Sequence, residues 1–451
     1  MIIRNFYDDS LAQASYLVAC GATGEAAIID PLREIEPYLQ AAKKLGLRIT
    51  VAIETHIHAD FLSGTRELSA RTGAFMYLSG EGGADWQYDF AGDPKACPLR
   101  DGDVVKLGNL SLKAIHTPGH TPEHMAYLLT DHPLSEQPHS LFSGDFVFVG
   151  DVGRPDLLER VANFKGTMEK GARDLFHSLQ KLNDLSDSLL VWPGHGAGSA
   201  CGKSLGGSPV TTLGYERATN WALRAASEAD FMAEVLAGQP EPPRYFKEMK
   251  VRNKLGPVVL GAMPRVPEIS EPVGVIVDIR SAAAIRAGYV PDSIAIPAGL
   301  ALTTWAGWLL EYDEPVTLIA EDQAVADAAA RDFALIGLDS IQGWMKAPVS
   351  LEQVETIACK FIPEEAFVLD VRGLTEYRAA HMASSVHIPL GYLAARQDEI
   401  PRDRPIFVHC ASGMRSLIGA SLLRRAGIEN VTEIDGGLSG VAVNCPQLLA
   451  A

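Results

Sequence analysis

Short apolar runs separated by turn residues fill the first part of the chain. The runs occupy residues 26–29, 49–53, 110–115, 125–129 and 189–192. Patterns with a helical period lie between some of them, at residues 35–45 and 62–72, and this alternation predicts sheets covered by helices. A helical pattern over 215–236 stops at the proline-rich stretch 238–243, because proline cannot continue a helix. We therefore place a first domain at residues 1–240.

The rest of the chain contains an internal repeat. Asp278-Ile-Arg280 corresponds to Asp370-Val-Arg372. Three further pairs of segments match in the same order, with all offsets between 90 and 93 residues: 293–297 with 385–389, 315–320 with 405–410, and 341–343 with 434–436. A repeat of about 100 residues suits one compact domain. The sequence thus predicts two similar α/β domains, at 245–351 and 355–451.

Composition narrows the range of functions. The chain has 451 residues and a net charge of −17, so it gains little from counterion release on nucleic acid or on an anionic membrane. It contains no run near the ~20 apolar residues that span a bilayer, and no basic segment followed by an apolar one at its start. We expect a cytoplasmic protein with no nucleic-acid or membrane partner. The six cysteines form no CxxC pair, which argues against a disulfide framework and a cysteine-rich zinc site.

Histidine and aspartate residues follow several of the predicted strands. His56-Ile-His58-Ala-Asp60 comes directly after the run 49–53. His120, Asp145 and His195 each stand at a turn after a later apolar run. Side chains at the C-terminal ends of strands converge on a cleft, and imidazole and carboxylate groups together bind first-row metals. A lone histidine is more often an ordinary polar residue, but this series of strand ends predicts a metal site.

At these residues the chain resembles the metallo-β-lactamase superfamily, whose pattern is HxHxDH followed by His, Asp and His. The resemblance implies an αβ/βα sandwich. Position 61 is Phe where the pattern has a histidine for a second metal, and a phenyl ring offers no lone pair. This departure argues against a binuclear hydrolytic site, in which two ions hold a hydroxide between them.

Among mononuclear members of the superfamily, the persulfide dioxygenases hold Fe²⁺ with two histidines and one aspartate, leaving positions open for O2 and substrate. By this resemblance His56, His120 and Asp145 bind one Fe²⁺ per chain. The same resemblance implies that His58, Asp60 and His195 orient the ligands or hold water.

Two further residues are candidates for substrate binding. The guanidinium of Arg154 is able to hold a carboxylate or phosphate of a thiol cofactor; the alternative is that it anchors its loop to Asp151 or Asp156. Cys201 lies in the glycine-rich stretch 193–203, which looks like the loop of persulfide dioxygenases fused to rhodanese domains. It either exchanges sulfur with an incoming persulfide or is a buried structural thiol.

A second chemical centre is predicted in the last domain. The apolar run 406–409 ends at Cys410 and a helical pattern begins soon after, so the cysteine lies among backbone N–H groups that favour a thiolate. The loop from Cys410 to Arg415 is one residue shorter than phosphatase loops of the form CxxxxxR. The domain resembles rhodanese, a sulfurtransferase, and by that resemblance Cys410 carries a persulfide that Arg415 stabilises. In the first copy Ala320 replaces the cysteine and Glu321-Asp322 add negative charge, so we expect that copy to be inert.

Together the resemblances imply an α/β protein with a metallo-β-lactamase sandwich followed by two rhodanese-like domains, the first degenerate. The expected activity is oxidation of a small thiol persulfide by O2 to sulfite, coupled to sulfur transfer through Cys410 that gives thiosulfate. The alternatives are a glyoxalase II-like thioester hydrolase with a sulfurtransferase domain, and a non-enzymatic sulfur carrier. The sequence leaves open the carrier thiol, the direction of sulfur flow and the oligomeric state, a homo-oligomer included.

Overall fold

The computed structural model describes residues 1–162 and 166–450. The chain divides into two compact units, Met1–Met263 with Ala334–Gly337, and Pro264–Phe333 with Leu338–Ala451. Within the described residues, no helix has both the length and the apolar character needed to cross a membrane.

The first unit extends beyond the predicted boundary at residue 240. The helix Phe246–Leu255 belongs to it. The buried amide of Asn253 in this helix donates to the backbone oxygens of His58 (2.8 Å) and Phe61 (2.7 Å), and accepts a hydrogen bond from the Ser63 N–H (2.9 Å). These bonds tie the helix to the loop that carries the predicted metal ligands.

Two six-stranded sheets form the first unit. The first sheet consists, in spatial order, of β1 (Ile2–Asp8), β2 (Gln13–Cys20), β3 (Glu25–Ile29), β4 (Arg48–Ile53), β5 (Phe75–Ser79) and β6 (Ala96–Leu99). The second has the spatial order β12-β11-β10-β9-β8-β7 and consists of β7 (Val104–Leu107), β8 (Leu110–His116), β9 (Met125–Asp131), β10 (Ser140–Gly144), β11 (Leu190–Pro193) and β12 (Thr211–Thr212). Strands β3 to β6 pair parallel, as do β10 and β11.

Strand β2 shows how the sequence builds the layers of this unit. All eight of its residues are buried, and successive side chains point to opposite faces of the sheet. Val18 packs in one core with Tyr127 of the second sheet, whereas Leu17 packs in another with Tyr38. The first sheet is therefore covered by the second sheet on one face and by a helix on the other.

The helices of the first unit are α1 (Glu36–Leu45), α2 (Thr65–Thr72), α3 (Leu157–Ala162), α4 (Thr167–Gln180), α5 (Leu213–Thr219), α6 (Glu228–Leu236) and α7 (Phe246–Leu255). Tyr38 lies on α1. On the outer face of the second sheet, Leu175 of α4 and Phe231 of α6 pack with Leu141 of β10. The layers follow the order helix, sheet, sheet, helix, which confirms the predicted αβ/βα sandwich.

The second unit contains two parallel sheets with matching topology. The first has the spatial order β14-β13-β15-β16 and consists of β13 (Val275–Asp278), β14 (Ile294–Ala295), β15 (Val316–Ile319) and β16 (Ile341–Met345). The second has the order β17-β21-β20-β18-β19 and consists of β17 (Thr356–Ile357), β18 (Phe367–Asp370), β19 (Ser385–His387), β20 (Ile406–His409) and β21 (Val431–Ile434). Strands β14-β13-β15-β16 correspond to β19-β18-β20-β21, so the sequence repeat is a repeat of structure.

The helices of the second unit are α8 (Ala282–Ala287), α9 (Leu302–Leu309), α10 (Gln323–Leu335), α11 (Leu374–Ala379), α12 (Met414–Arg425) and α13 (Gly437–Asn444). The repeated Asp-x-Arg motifs have the same role in both copies. Arg280 donates to Asp278 through Nε (2.9 Å) and Nη2 (2.6 Å), and Arg372 makes the same two bonds to Asp370. Each pair fixes the turn that follows the first long strand of its copy.

Two cysteines correct the expectation drawn from cysteine spacing. Cys359 and Cys445 form a disulfide across a sequence separation of 86 residues, while Cys20, Cys97, Cys201 and Cys410 are free. The pair joins the start of the last domain to the end of α13. Spacing along the chain did not reveal it, because two residues so far apart are brought together only by the fold.

Candidate functional site

The predicted metal-site residues lie at the ends of neighbouring strands. His56, His58 and Asp60 follow β4, His120 lies between β8 and β9, Asp145 follows β10, and His195 follows β11. All six side chains are buried, with at most 5% of any residue exposed. The fold thus brings residues from four separate segments into one enclosed cleft.

His56, His120 and Asp145 form the first group in this cleft. One potential ligand atom of each lies within 4.8 Å of the other two. His120 Nε2 is 3.4 Å from Asp145 Oδ2, and this buried oxygen has no hydrogen-bond partner among the described residues. A buried carboxylate oxygen without a donor is costly, and a cation would satisfy it. Two imidazoles and a carboxylate are the donors of a mononuclear Fe²⁺ site, so the residues present fit that ion.

Hydrogen bonds leave the Nε2 atoms of both histidines free. His120 Nδ1 donates to the backbone oxygen of Arg154 (3.0 Å). Thr55 donates its hydroxyl to Asp30 (2.9 Å), so His56 Nδ1 is the donor in its own 2.9 Å contact with that hydroxyl oxygen. Each Nε2 therefore carries the lone pair that a metal needs.

The same two histidines are held neutral. Burial, reinforced by the neighbouring His58, lowers the pKa of His56 well below its usual range. Burial also lowers the pKa of His120, although the charge of Asp145 opposes this shift. A neutral imidazole is the form that binds a metal.

Asp60, His195 and Cys201 form a second group, which the sequence did not predict as a group. His195 Nε2 lies 3.2 Å from Asp60 Oδ2 and 3.5 Å from Asp145 Oδ1, and its Nδ1 donates to the backbone oxygen of Ala12 (2.9 Å). Burial alone would lower the pKa of His195, but the charges of Asp145 and Asp60 raise it well above its usual range. Asp60 and His195 thus adjoin the first group through Asp145.

Cys201 is buried beside His195. Only 1% of the residue is exposed, and burial raises the pKa of its thiol to about 12. A thiol that stays protonated and enclosed is a poor nucleophile. Of the two roles that the sequence left open, this setting favours the structural one.

His58 is paired with Asp30, a residue that the sequence analysis missed. His58 Nε2 lies 3.1 Å from Asp30 Oδ1, which also accepts a hydrogen bond from the Thr55 N–H (2.7 Å). Asp30 has a φ of +49°, a conformation that residues other than glycine rarely adopt and that is concentrated at functional sites. The ring of Phe61 packs against His58, with 4.3 Å between ring centroids. No motif marks Asp30, since it stands alone after β3.

His124 is the second residue that was missed. Its Nε2 accepts a hydrogen bond from the backbone N–H of Asp145 (3.1 Å), and its Nδ1 lies 2.8 Å from the Thr117 hydroxyl. Burial lowers the pKa of His124 well below its usual range, consistent with a neutral ring that accepts at Nε2. His124 therefore positions Asp145. Its only signal in the sequence is its place four residues after His120.

The contacts of Arg154 bear on the two roles that the sequence left open for it. The residue is fully buried; Nε and Nη2 donate to Asp156 (2.7 and 2.8 Å), and Nη1 donates to the backbone oxygen of Ala200 (3.0 Å). These bonds occupy the face of the guanidinium that would receive a carboxylate. The alternative in which Arg154 anchors its loop to Asp156 is the one that the structure favours.

A cavity of about 600 Å³ borders the segment that carries His120 and offers another place for a substrate. Gly119 and Pro122 line it, together with Trp86 and Lys170. Lys247, Lys250 and Lys254 also line it from α7, where their spacing puts them on one face of the helix. Its volume suits a small-molecule ligand. Asp85 and Asp174 also line the cavity, so four lysines face two aspartates, and this excess of lysine suits an anionic ligand.

Lys250 lies deepest among these lysines. Its Nζ is 3.6 Å from the centroid of the Trp86 ring. Burial lowers the pKa of Lys250 to about 7, and the charge of Glu123 opposes that shift. The sequence analysis assigned α7 to the wrong domain and so missed these lysines, although their spacing of three and four residues is visible in the sequence.

The Cys410 loop joins β20 to α12, as predicted. The N–H of Gly413 donates to Cys410 Sγ (3.1 Å). Arg415 makes a two-pronged ion pair with Glu376, with N–O distances of 2.5 and 2.7 Å. The hydrogen bond to Glu376, and to a smaller extent the nearby Cys410, raise the pKa of Arg415. The loop therefore holds a cysteine sulfur, a backbone donor and a guanidinium close together.

In the first copy the corresponding loop has a different use. Asp322 accepts a hydrogen bond from the Val325 N–H (3.0 Å), and Glu321 accepts one from the Ser281 N–H (3.2 Å). Both carboxylates cap backbone groups near the start of helices. The absence of sulfurtransferase activity in this copy stays a prediction.

Two family models match the chain, one for the metallo-beta-lactamase superfamily over residues 9–195 and one for the rhodanese-like domain over residues 356–443. The crystal structure of a metallo-beta-lactamase from Staphylococcus aureus subsp. aureus COL is 42% identical, with a TM-score of 0.72, and the match covers 77% of this chain and 99% of that one.

Two curated relatives match the first unit. The mitochondrial persulfide dioxygenase of Homo sapiens is 29% identical over 231 residues, which are 51% of this chain and 78% of that protein. A hydroxyacylglutathione hydrolase of Rhodospirillum rubrum is 35% identical over 185 residues, which are 40% of this chain. The chain spans 60% of the length of that hydrolase.

Proposed function

Because the chain belongs to the metallo-beta-lactamase superfamily and carries a rhodanese-like domain, we propose that it is an iron-dependent persulfide dioxygenase with a linked sulfurtransferase. The observation that carries the proposal is the buried group His56, His120 and Asp145, combined with Phe61 at the position of the second-metal histidine. The likeness to the human persulfide dioxygenase supports it.

The proposed reaction is R–S–SH + O2 + H2O → R–SH + SO3²⁻ + 2H⁺. Fe²⁺ held by His56, His120 and Asp145 would supply a Lewis acid with open positions and the electron transfer that O2 chemistry requires. The protein fixes the ligand side chains: Arg154 orients His120 through its backbone oxygen, and His124 holds the backbone of Asp145. Their enclosed setting limits the access of water to the reacting sulfur.

We place the carrier thiol in the cavity that borders the segment carrying His120. The lysines of α7 give the cavity a positive face, which suits a carrier whose far end bears carboxylates or phosphates. The proposed substrate class is therefore an acidic small-molecule persulfide. Glutathione persulfide and coenzyme A persulfide are the compounds with which to test it.

In the second half of the proposed function Cys410 passes sulfur to sulfite, as Cys410–S–S⁻ + SO3²⁻ → Cys410–S⁻ + S2O3²⁻. The sulfur–sulfur bond of the protein persulfide breaks, a new one forms to sulfite, and the electron pair returns to Cys410. The Gly413 N–H is placed to stabilise that sulfur, and Arg415 adds positive charge beside it.

A thioester hydrolase is the second candidate function. Two observations favour it: the likeness to the hydroxyacylglutathione hydrolase, and the second group of possible ligands at Asp60, His195 and Cys201. Two bound metals and hydrolysis without oxygen uptake would distinguish it from the dioxygenase.

Replacement of a proposed ligand tests the dioxygenase directly. We expect His120→Ala in the anaerobically reconstituted full chain to lose both bound iron and persulfide-dependent oxygen uptake. His132→Ala is the matched control, since His132 is exposed and pairs with Glu136. A His120→Ala variant that still consumes oxygen at the normal rate would overturn the assignment of the metal site.

A further inference from the structure

A residue of the first, cysteine-free copy reaches the Cys410 loop of the second. Arg286 stands in the last turn of α8, and its Nη2 donates to the backbone oxygen of Gly413 (2.7 Å). The same guanidinium forms a two-pronged pair with Glu433 of β21, with both N–O distances at 3.1 Å. Both partners belong to the second copy, and both copies lie within one compact unit.

Glycine at position 413 makes room for this contact. Gly413 has a φ of +115°, and a Cβ at this position would lie 3.2 Å from Arg286 Nη2. The glycine that shapes the loop therefore also admits the arginine. The N–H of Gly413 donates to Cys410 Sγ (3.1 Å). Arg286 binds the carbonyl of Gly413, so it fixes the residue whose N–H binds the sulfur.

Glu433 needs a cation at this place. Its side chain is 3% exposed, and Arg286, which is 33% exposed, brings the positive charge to it. A buried carboxylate that loses its cation is strongly destabilised. Without Arg286, Glu433 would keep only the neutral hydroxyl of Ser416 as a side-chain donor (2.8 Å), and the loop beside it would lose its charged support.

Ser416 connects this pair to the nucleophile. Its hydroxyl oxygen lies 2.8 Å from Glu433 Oε2, 2.9 Å from the backbone oxygen of Gly413 and 3.8 Å from Cys410 Sγ. A hydroxyl has one hydrogen to donate. That hydrogen goes to an oxygen at 2.8 or 2.9 Å rather than to the sulfur at 3.8 Å, so Ser416 and Arg286 together hold Glu433 and the Gly413 carbonyl, and the Gly413 N–H is the donor that reaches Cys410 Sγ.

The repeat shows that the first copy has kept this arginine while losing its chemistry. Arg286 corresponds to Arg378 of the second copy, but Ala284 stands where the second copy has Glu376, and Ala320 where it has Cys410. The first copy thus lacks the nucleophile and the partner of Arg415, and retains the side chain that contacts the other copy.

From these contacts we infer that Arg286 is a positioning residue for sulfur transfer at Cys410, and that the degenerate copy completes the loop of the active one. The inference rests on the sulfurtransferase half of the proposed function. In the step concerned, Cys410–S–S⁻ + CN⁻ → Cys410–S⁻ + SCN⁻, the sulfur–sulfur bond breaks and the electron pair moves to Cys410 Sγ. Arg286 acts by holding the Gly413 carbonyl and Glu433, which fixes the loop whose Gly413 N–H donates to that sulfur.

The test uses the full chain with thiosulfate as sulfur donor and cyanide as acceptor. We expect Arg286→Ala to load one sulfur on Cys410, as seen by intact mass, but to pass it to cyanide roughly ten- to a hundredfold more slowly. A variant that has merely lost its fold would fail to load. Arg286→Lys should restore part of the rate of sulfur transfer, since lysine keeps the positive charge but lacks the two guanidinium nitrogens that bind Glu433 together. Oxygen uptake with a persulfide should not change.

Arg425→Ala is the matched control. Arg425 also joins the two copies, donating to the backbone oxygen of Asp292 (2.7 Å), and it lies at the opposite end of α12 from the Cys410 loop. It should transfer sulfur at the normal rate. Equal losses in Arg425→Ala and Arg286→Ala, or an Arg286→Ala rate within twofold of normal, would overturn the inference alone. A natural chain that transfers no sulfur at all would overturn the proposed sulfurtransferase, and this inference with it.

Discussion

Asp30 controls the metal-site histidines without touching the proposed metal. Asp30 accepts a hydrogen bond from the Thr55 hydroxyl and pairs with His58. Because the Thr55 hydrogen is already used, His56 Nδ1 must be the donor in its contact with the Thr55 oxygen. Residues that orient metal ligands in this way typically change metal affinity by about 10–100-fold. We expect Asp30→Asn to lower the affinity for Fe²⁺ by that amount in an anaerobic competition with a chelator. Asp9→Asn, at an exposed position, is the control; equal affinities in both variants would show that Asp30 does not orient the ligands.

The Glu376–Arg415 pair predicts a pH dependence. The hydrogen bond from Arg415 lowers the pKa of Glu376, although burial opposes the shift. A carboxylate whose pKa is lower in the folded state stabilises the fold above its ordinary pKa of about 4.3, and this stability is lost as the pH falls through the lowered value. Between about pH 6 and pH 3, the urea midpoint of the natural chain should therefore fall more steeply than that of Glu376→Gln. Parallel curves would contradict the pairing.

Single residues also show what the sequence could and could not predict. A metal site was predictable because its histidines and aspartates follow apolar runs and strand ends converge in space, whereas the choice of His56, His120 and Asp145 as ligands came from the resemblance. Arg154 was open to two interpretations, because the sequence does not show that Asp156 and a backbone oxygen already occupy its donors. Asp30 was missed because its partners come from another strand end and no local motif marks it.

At the level of elements, α7 gives the first unit a positive face beside the metal site. We expect the double variant Lys247→Gln/Lys254→Gln to raise the KM for glutathione persulfide about two- to fivefold, the range for solvent-accessible ion pairs. The kcat should change little, because in this proposal the lysines bind the far end of the carrier and not the reacting sulfur. Added salt should weaken the difference, since it screens exposed charges.

The control for this variant is Lys43→Gln/Lys44→Gln in the last turn of α1, which alters the same number of charges elsewhere in the unit. The KM for a small neutral persulfide should be the same in all three proteins. A KM for glutathione persulfide that is unchanged by the α7 substitutions would place the carrier outside this cavity.

The internal repeat could be predicted from the sequence, whereas the placement of α7 could not. The repeat was visible because both copies need the same buried strands and the same Asp-Arg turn, which constrain the sequence in the same way. The position of α7 was wrong because a proline-rich stretch ends a helix without ending a domain. Asn253 of α7 binds the backbone oxygens of His58 and Phe61 in the first unit. A pattern of hydrophobic residues does not reveal such hydrogen bonds.

At the scale of the whole molecule, the proposed oxygen chemistry and sulfur transfer lie in different compact units. We therefore expect Cys410→Ser to keep persulfide-dependent oxygen uptake within about twofold of normal, because sites that share no residues usually act additively. Its product should change from thiosulfate to sulfite, as measured by chromatography of the two anions. Cys97→Ser, at another free cysteine, should keep the natural product ratio. Loss of oxygen uptake in Cys410→Ser would show that the two steps are not separable.

The most direct test of the proposed function is to measure oxygen consumption and metal content in the same sample of the full chain. The sample is reconstituted with iron under anaerobic conditions and then given glutathione persulfide and O2. The account predicts about one iron per chain at the group His56, His120 and Asp145, and one O2 consumed for each persulfide oxidised. Two metals per chain, no oxygen consumption, and hydrolysis of a glutathione thioester by the same sample would contradict it.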